Sequence, residues 1–254
     1  MKNIGIYDSG CGGFSVINQL LSQGYSGNIF YYGDTINNPW GNKTKLELKI
    51  ILETIAAWFN QHNVDAVFSG CNTTLSIFGE ELPTLLKNPI YNILENTEAY
   101  YTESNYSVLS TENSTKTHLF SRFLPKKTIQ EIPCPNLANL IEKNQWDAAI
   151  ADAISIIKNA KYPTIILGCT HYPLILKELQ EHMPHKTFIN PASFLKIPTE
   201  LMQPFENQII HFKTTGNEDT FHAILKASTN INTYTLNAKL NKNTSHVKSL
   251  NVTH

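Results

Sequence analysis

Two of the four cysteines in this chain stand in near-repeated surroundings. Asp65-Ala66-Val67-Phe68-Ser69-Gly70-Cys71-Asn72-Thr73 parallels Pro163-Thr164-Ile165-Ile166-Leu167-Gly168-Cys169-Thr170-His171. Each segment reads as an apolar strand, a Gly-Cys pair, two polar residues and the start of a helix. A free thiol has a pKa of about 8.5, and a helix N-terminus beside it favours the thiolate. Such a group can give or take a proton near neutral pH. Inverting a tetrahedral carbon requires a proton to leave one face and another to arrive on the opposite face. A single base tends to return the proton to the face it came from. One thiolate and one thiol on opposite faces do the work in both directions. The N–H groups that open the two helices can also hold a substrate carboxylate. Asn72, Thr73, Thr170 and His171 supply further donors, and Asp8 can bind an ammonium group or partner a cysteine in proton transfer.

The elements that must position these residues alternate along the chain. Strands are predicted over 4–7, 28–32, 65–69, 89–94, 107–109, 128–132, 164–167, 187–190 and 208–213. Helices are predicted over 14–23, 43–60, 136–143, 147–159, 174–182 and 218–226. Alternation of this kind indicates an α/β fold. In α/β sheets the ligand crevice lies beyond the carboxyl ends of the strands. Cys71 and Cys169 stand about one small domain apart. Two facing domains therefore place one thiol on each side of a single ligand. The final segment, 229–254, is rich in Asn, Thr and Lys, alternates weakly over 233–236, and reads as a mobile or peripheral extension.

Composition narrows the class. The chain has 254 residues, 41% of them hydrophobic, and a formal net charge of −1. That balance lacks the basic footprint of a nucleic-acid binder. No apolar run approaches the roughly 18 residues of a membrane span. The opening strand meets Asp8 too early to form a signal-peptide core. A cytoplasmic location and free thiols are the expectation. Cys11 and Cys134 read as small buried hydrophobes, Cys11 lying in a turn where side-chain identity looks free. Gly10, Gly12 and Gly13 do not make a dinucleotide fingerprint, because the third glycine of that pattern falls at Ser15. Cys169 and His171 have no second pair with which to hold a metal. No metal and no cofactor are expected.

A family resemblance rests on the same residues. Ile4-Gly5-Ile6-Tyr7-Asp8-Ser9-Gly10-Cys11-Gly12-Gly13 resembles the glutamate racemase opening, a strand followed by DSGxGG. Tyr32-Gly33-Asp34-Thr35 with Pro39-Trp40-Gly41 is similar to that family's YxGDxxxxPYG loop. Gly70-Cys71-Asn72-Thr73 resembles its A-C-N-T motif, and Leu167-Gly168-Cys169-Thr170-His171-Tyr172-Pro173-Leu174 matches its L-G-C-T-H-Y-P-L motif. Thr215-Gly216 followed by Phe221 is similar to its closing TGxxxxF segment.

The resemblance implies two similar α/β domains with mainly parallel sheets, related by a pseudo-twofold axis, with the active site in the cleft between them. One domain would comprise 1–94 with 207–228, the other 95–206. It implies a cofactor-independent racemase that interconverts L- and D-glutamate and supplies D-glutamate for peptidoglycan. Cys71 and Cys169 would be the two bases, assisted by Asp8, His171 and Glu142. Asp8, Ser9, Trp40, Gly41, Asn72, Thr73, Thr111, Thr170 and His171 would bind the substrate, with Ser114 beside Thr111. The partner is then a small amino acid, with no nucleic acid and no membrane, and a homodimer is compatible with the family.

The chain also departs from the family pattern. Trp40 replaces a tyrosine; its N–H can donate but not accept, and its bulk narrows the pocket. Asn92-Ile93-Leu94-Glu95-Asn96 replaces G-V-I-E-P, and Ser110-Thr111 replaces Gly-Thr. The segment around Cys134-Pro135 and Glu142 matches only loosely. These changes bear on substrate choice and rate. The alternatives are racemisation of aspartate or another acidic amino acid, or a catalytically weak member that binds and regulates a partner, as some family members are reported to act on DNA gyrase.

Overall fold

The computed structural model describes residues 2–95, 97–202, 208–231, 234–237 and 247–248. Its strands are β1 (Asn3–Asp8), β2 (Asn28–Gly33), β3 (Ala66–Ser69), β4 (Ile90–Asn92), β5 (Asn105–Ser110), β6 (Thr128–Pro133), β7 (Thr164–Leu167), β8 (Thr187–Ile189), β9 (Ile210–Thr214), β10 (Tyr234–Asn237) and β11 (Val247–Lys248). Each predicted strand is present, with ends shifted by up to two residues. Ala66–Ser69 and Thr164–Leu167 are buried throughout. Runs buried on both faces are the mark of parallel strands covered by helices.

Two sheets result. One runs β11-β10-β9-β2-β1-β3-β4 and the other β6-β5-β7-β8. Within them, β2-β1-β3-β4 and β6-β5-β7-β8 have the same strand order, and every pairing in both blocks is parallel. The duplication seen around the cysteines is therefore a duplication of sheet topology. In each block the order reverses between the first strand in sequence and the third, a topological switch point, and ligands bind at the carboxyl ends there. Asp8 and Cys71 stand at that point in the first sheet, Thr111 and Cys169 in the second.

Helices cover both sheets. Lys45–Gln61 starts with a capping box between Thr44 and Glu47 and buries Leu48, Leu52, Ile55 and Phe59. Phe14–Ser22 and Glu218–Ser228 enclose an aromatic cluster of Phe14, Tyr31, Phe212 and Phe221. The predicted helix over 174–182 begins instead as a 3-10 turn, Tyr172–Ile175, followed by the helix Leu176–His182. Pro173 lies in the first turn, where its missing N–H costs nothing.

The segment expected to be a peripheral extension contributes to the main sheet. β10 lies parallel to β9, with Tyr234 opposite Ile210, and β11 pairs antiparallel with β10. Residues 232–233, 238–246 and 249–254 of that segment lie outside the described residues, as does the predicted domain junction at 206–207. Among the described residues no helix is long and apolar enough to cross a membrane.

Candidate active site

Cys71 follows β3 and Gly70 and occupies the cap position of the helix Asn72–Phe78 with extended backbone angles. Cys169 follows β7 and Gly168. Both cysteines wall one cavity between the two sheets, together with Ser9, Pro39, Trp40, Gly41, Asn72, Thr73, Thr111, Ala138, Gly168, Thr170 and His171. The cavity encloses about 20 Å³, room for roughly one water molecule. The sheets clasp around it. Asn72 Nδ2 donates to the Gly168 carbonyl at 3.0 Å, and the Thr73 and Thr111 hydroxyls meet at 3.1 Å.

The ionisable groups form a buried chain behind one wall. Asp8 is fully buried. Its Oδ1 accepts from the Gly10 N–H at 2.9 Å and its Oδ2 from the Thr170 hydroxyl at 2.9 Å. His171 Nε2 lies 3.9 Å from Asp8 Oδ1 and 2.6 Å from Glu142 Oε1. Glu142 Oε1 also accepts from the Cys11 N–H. His171 Nδ1 lies 3.7 Å from Cys169 Sγ.

Burial lifts the Asp8 carboxyl to about 6, against the pull of the His171 charge and the Gly10 N–H. Burial opposes the charged form of His171, yet its contacts with Cys169, Glu142 and Asp8 outweigh that and hold its pKa well above the usual imidazole range. Burial, with the Asp8 charge added, pushes the Cys71 thiol up to about 12, while the Thr74 and Thr73 N–H groups act in the opposite direction. At neutral pH Cys71 is therefore held as a thiol, and His171, beside Cys169, as an imidazolium.

No family model matches this chain. A glutamate racemase of Prochlorococcus marinus is 33% identical over 203 residues, 76% of this chain and 76% of that protein. The chain belongs to the glutamate racemase family. Solved structures share the fold. A glutamate racemase of Bacillus anthracis superposes with a TM-score of 0.78 at 22% identity, over 89% of this chain and 92% of that one. The glutamate racemase of Francisella tularensis, in complex with D-glutamate, gives 0.78 at 20% identity over 93% and 96%.

The family motifs converge in space. Of the residues singled out from sequence, Ser9, Trp40, Gly41, Cys71, Asn72, Thr73, Thr111, Cys169, Thr170 and His171 wall the cavity. Asp8 and Glu142 stand one layer behind it, holding Thr170 and His171. Ser114 is buried against the Thr111 hydroxyl rather than on the wall. Trp40 presents its ring, because its Nε1–H is already given to Asp34 Oδ2 at 3.1 Å. Pro39, Gly168 and Ala138 are wall residues that pattern reading passed over. The first two flank singled-out residues, and Ala138 carries no chemical signal.

Cys11 and Cys134 are buried in the hydrophobic clusters, as expected of small hydrophobes. The expectation that the Cys11 side chain is unconstrained is corrected, because it is fully enclosed by the core. Two glycines of that turn have no room for a side chain: a Cβ at Gly10 would overlap the Glu142 carboxylate, and Gly12 faces the cavity wall. A Cβ there would stand 2.5 Å from His171 Nδ1 and 2.6 Å from Thr170 Oγ1.

Proposed function

We propose that this protein interconverts L- and D-glutamate without a cofactor, using Cys71 and Cys169 as opposed acid and base. The observation that carries the proposal is that both cysteines lie on the wall of one small cavity between the two sheets. A thiolate takes the α-proton from one face of the substrate while the thiol opposite delivers one to the other face. The thiol and thiolate exchange identities, so the next turnover runs in the reverse sense. Asn72, Thr73 and Thr170 are placed to hold the substrate carboxylates. His171 stands by Cys169 as its proton partner, oriented by Glu142. Asp8, when ionised, stabilises the imidazolium and holds Thr170.

The same reading assigns 1–94 with 207–228 to one domain and 95–206 to the other, supported by the division of strands between the sheets. It places the protein in the cytoplasm, supplying D-glutamate for peptidoglycan, as a homodimer whose mass light scattering measures. Circular dichroism of L-glutamate and of D-glutamate, each incubated with protein and no cofactor, tests the activity. Decay of both signals to zero is expected, and persistence of both rejects it. Aspartate is the second reading, favoured by the small cavity under the Trp40 ring. Parallel assays on the two acids separate them.

A further inference from the structure

A cluster of three hydroxyls lies on the side of Cys71 away from the cavity. The Tyr7 and Thr74 hydroxyls are 2.9 Å apart, and Ser69 Oγ lies 2.9 Å from the Tyr7 hydroxyl. Thr74 Oγ1 donates to the Cys71 carbonyl at 2.8 Å, and the Cys71 N–H reaches Ser69 Oγ at 3.4 Å. Ser69 Oγ also lies 3.3 Å from the Cys71 carbonyl. All three residues are buried. One proton assignment satisfies the set. Tyr7 donates to Thr74, Thr74 to the Cys71 carbonyl, and Ser69 to Tyr7 or to the Cys71 carbonyl, while Ser69 accepts from the Cys71 N–H. Both backbone polar groups of Cys71 thus end on side chains that Tyr7 ties together. The Tyr7 ring also stacks on Trp40 across the cavity wall, with centroids 6.2 Å apart and planes at 29°.

Cys169 is held differently. Its polar neighbour is the titratable His171, backed by Glu142. The two thiols, equivalent in topology, therefore sit in unlike supports, hydroxyls behind Cys71 and an imidazole beside Cys169.

We infer that Tyr7 is a positioning residue for Cys71, fixing through Thr74 and Ser69 the turn that aims this thiol at the substrate. The inference rests on the two-thiol reading of the site. Fixing the turn keeps the Thr73 and Thr74 N–H groups directed at the sulfur, where they favour the thiolate. Loss of the Tyr7 hydroxyl loosens that alignment at Cys71 and leaves Cys169 untouched.

The test is alkylation of the intact protein by iodoacetamide across pH, with each cysteine followed by peptide mass spectrometry, in the parent, Tyr7→Phe, Thr74→Val and Thr74→Ser. Tyr7→Phe and Thr74→Val are expected to slow Cys71 alkylation at pH 8 by about three-fold or more, through a lower thiolate fraction. They are expected to leave the Cys169 rate unchanged, and Thr74→Ser restores the parent rate. In the racemisation assay kcat falls about ten-fold with KM nearly constant, as for a misaimed group. Equal changes at both cysteines, or no change at either, overturn the inference. Should the parent itself fail to racemise glutamate, the alkylation rates still decide the positioning role. Should Tyr7→Phe not fold, the Thr74 pair carries the test.

Discussion

Asn72, the residue after Cys71, donates its side-chain amide to the carbonyl of Gly168, the residue before Cys169, at 3.0 Å. The bond joins the two sheets at the cavity itself. Asn72→Ala leaves the Gly168 carbonyl without this donor, at a cost of about 1–2 kcal/mol. The closed form is weakened relative to open forms, so iodoacetamide labels both cysteines several-fold faster, and KM for glutamate rises. Labelling at the parent rate contradicts a closing role for this bond.

Replacing either thiol by a hydroxyl removes the sulfur that gives or takes the proton in the proposed mechanism. Cys71→Ser and Cys169→Ser are each expected to lose about three orders of magnitude or more in racemisation rate. Each change replaces one atom at the cavity edge of a hydrophobic cluster, so melting temperatures stay within about 3 °C of the parent. Racemisation assays paired with thermal denaturation check this. Full activity in either variant removes the two-thiol mechanism.

Asp8 sets an acid limit. With its carboxyl lifted to about 6, activity that needs the carboxylate falls as pH drops through that value. Asp8→Asn lowers the rate and removes this limb from the kcat/KM profile. The stability sign runs the other way. The folded pKa lies above the unfolded value, so the favourable contribution is complete below about 3.9 and is lost as pH rises through about 6. Asp8→Asn is therefore stabilised relative to the parent above pH 6, by on the order of 3 kcal/mol at most, and the difference vanishes in acid. Chemical denaturation at pH 4 and pH 8 measures it.

Glu142 governs the alkaline side. It lies 2.6 Å from His171 Nε2 and helps raise that imidazole above its usual range. Glu142→Gln keeps a hydrogen-bonding group but removes the charge, so the alkaline limb of kcat moves to lower pH. The stability contributed by a raised imidazole is complete below its unfolded pKa of about 6.5 and is lost as pH rises through the folded value. The variant is thus least stable relative to the parent in acid. A pH–rate profile with the His171 ring resonances followed by NMR reports both effects.

Gly12 tests the packing of the cavity wall. An alanine methyl there meets His171 Nδ1 at 2.5 Å and Thr170 Oγ1 at 2.6 Å, so both side chains must shift. A displacement of about 1 Å at such a site costs roughly 100-fold in rate. Gly12→Ala is expected to show that loss while keeping the parent far-UV circular dichroism, whereas near-parent kcat excludes tight packing here.

The parts of the site that lie next to each other in sequence were the legible ones. The Gly-Cys turns, their strands and their helices are local patterns, and the recurrence around Cys71 and Cys169 reappears as an identical four-strand order. Glu142 was harder to place, because its segment matches the family loosely and its partners, His171 and the Cys11 N–H, come from distant parts of the chain. Periodicity marks Glu142 as the end of a helix but cannot say what that end meets. The same limit hid the use of the Trp40 N–H by Asp34 and the joining of Tyr7 to Ser69 and Thr74. Hydroxyls and amides choose partners by geometry, which spacing along the chain does not encode. Cys11 shows the converse. A glycine-rich turn suggests tolerance, while the core closing over it leaves no spare volume.

A cavity with space for about one water molecule must widen to admit glutamate, and once the sheets close over the substrate the transferred hydrogen stays with the two sulfurs. Bulk solvent can claim it only when the sheets part, which is also when product departs. Run in heavy water, the reaction therefore keeps a clock. Each product takes its α-hydrogen from the opposite thiol, so protium from one substrate reaches only the product of a later turnover in the reverse sense, and its share records how often the protein opens before that thiol has traded with the solvent.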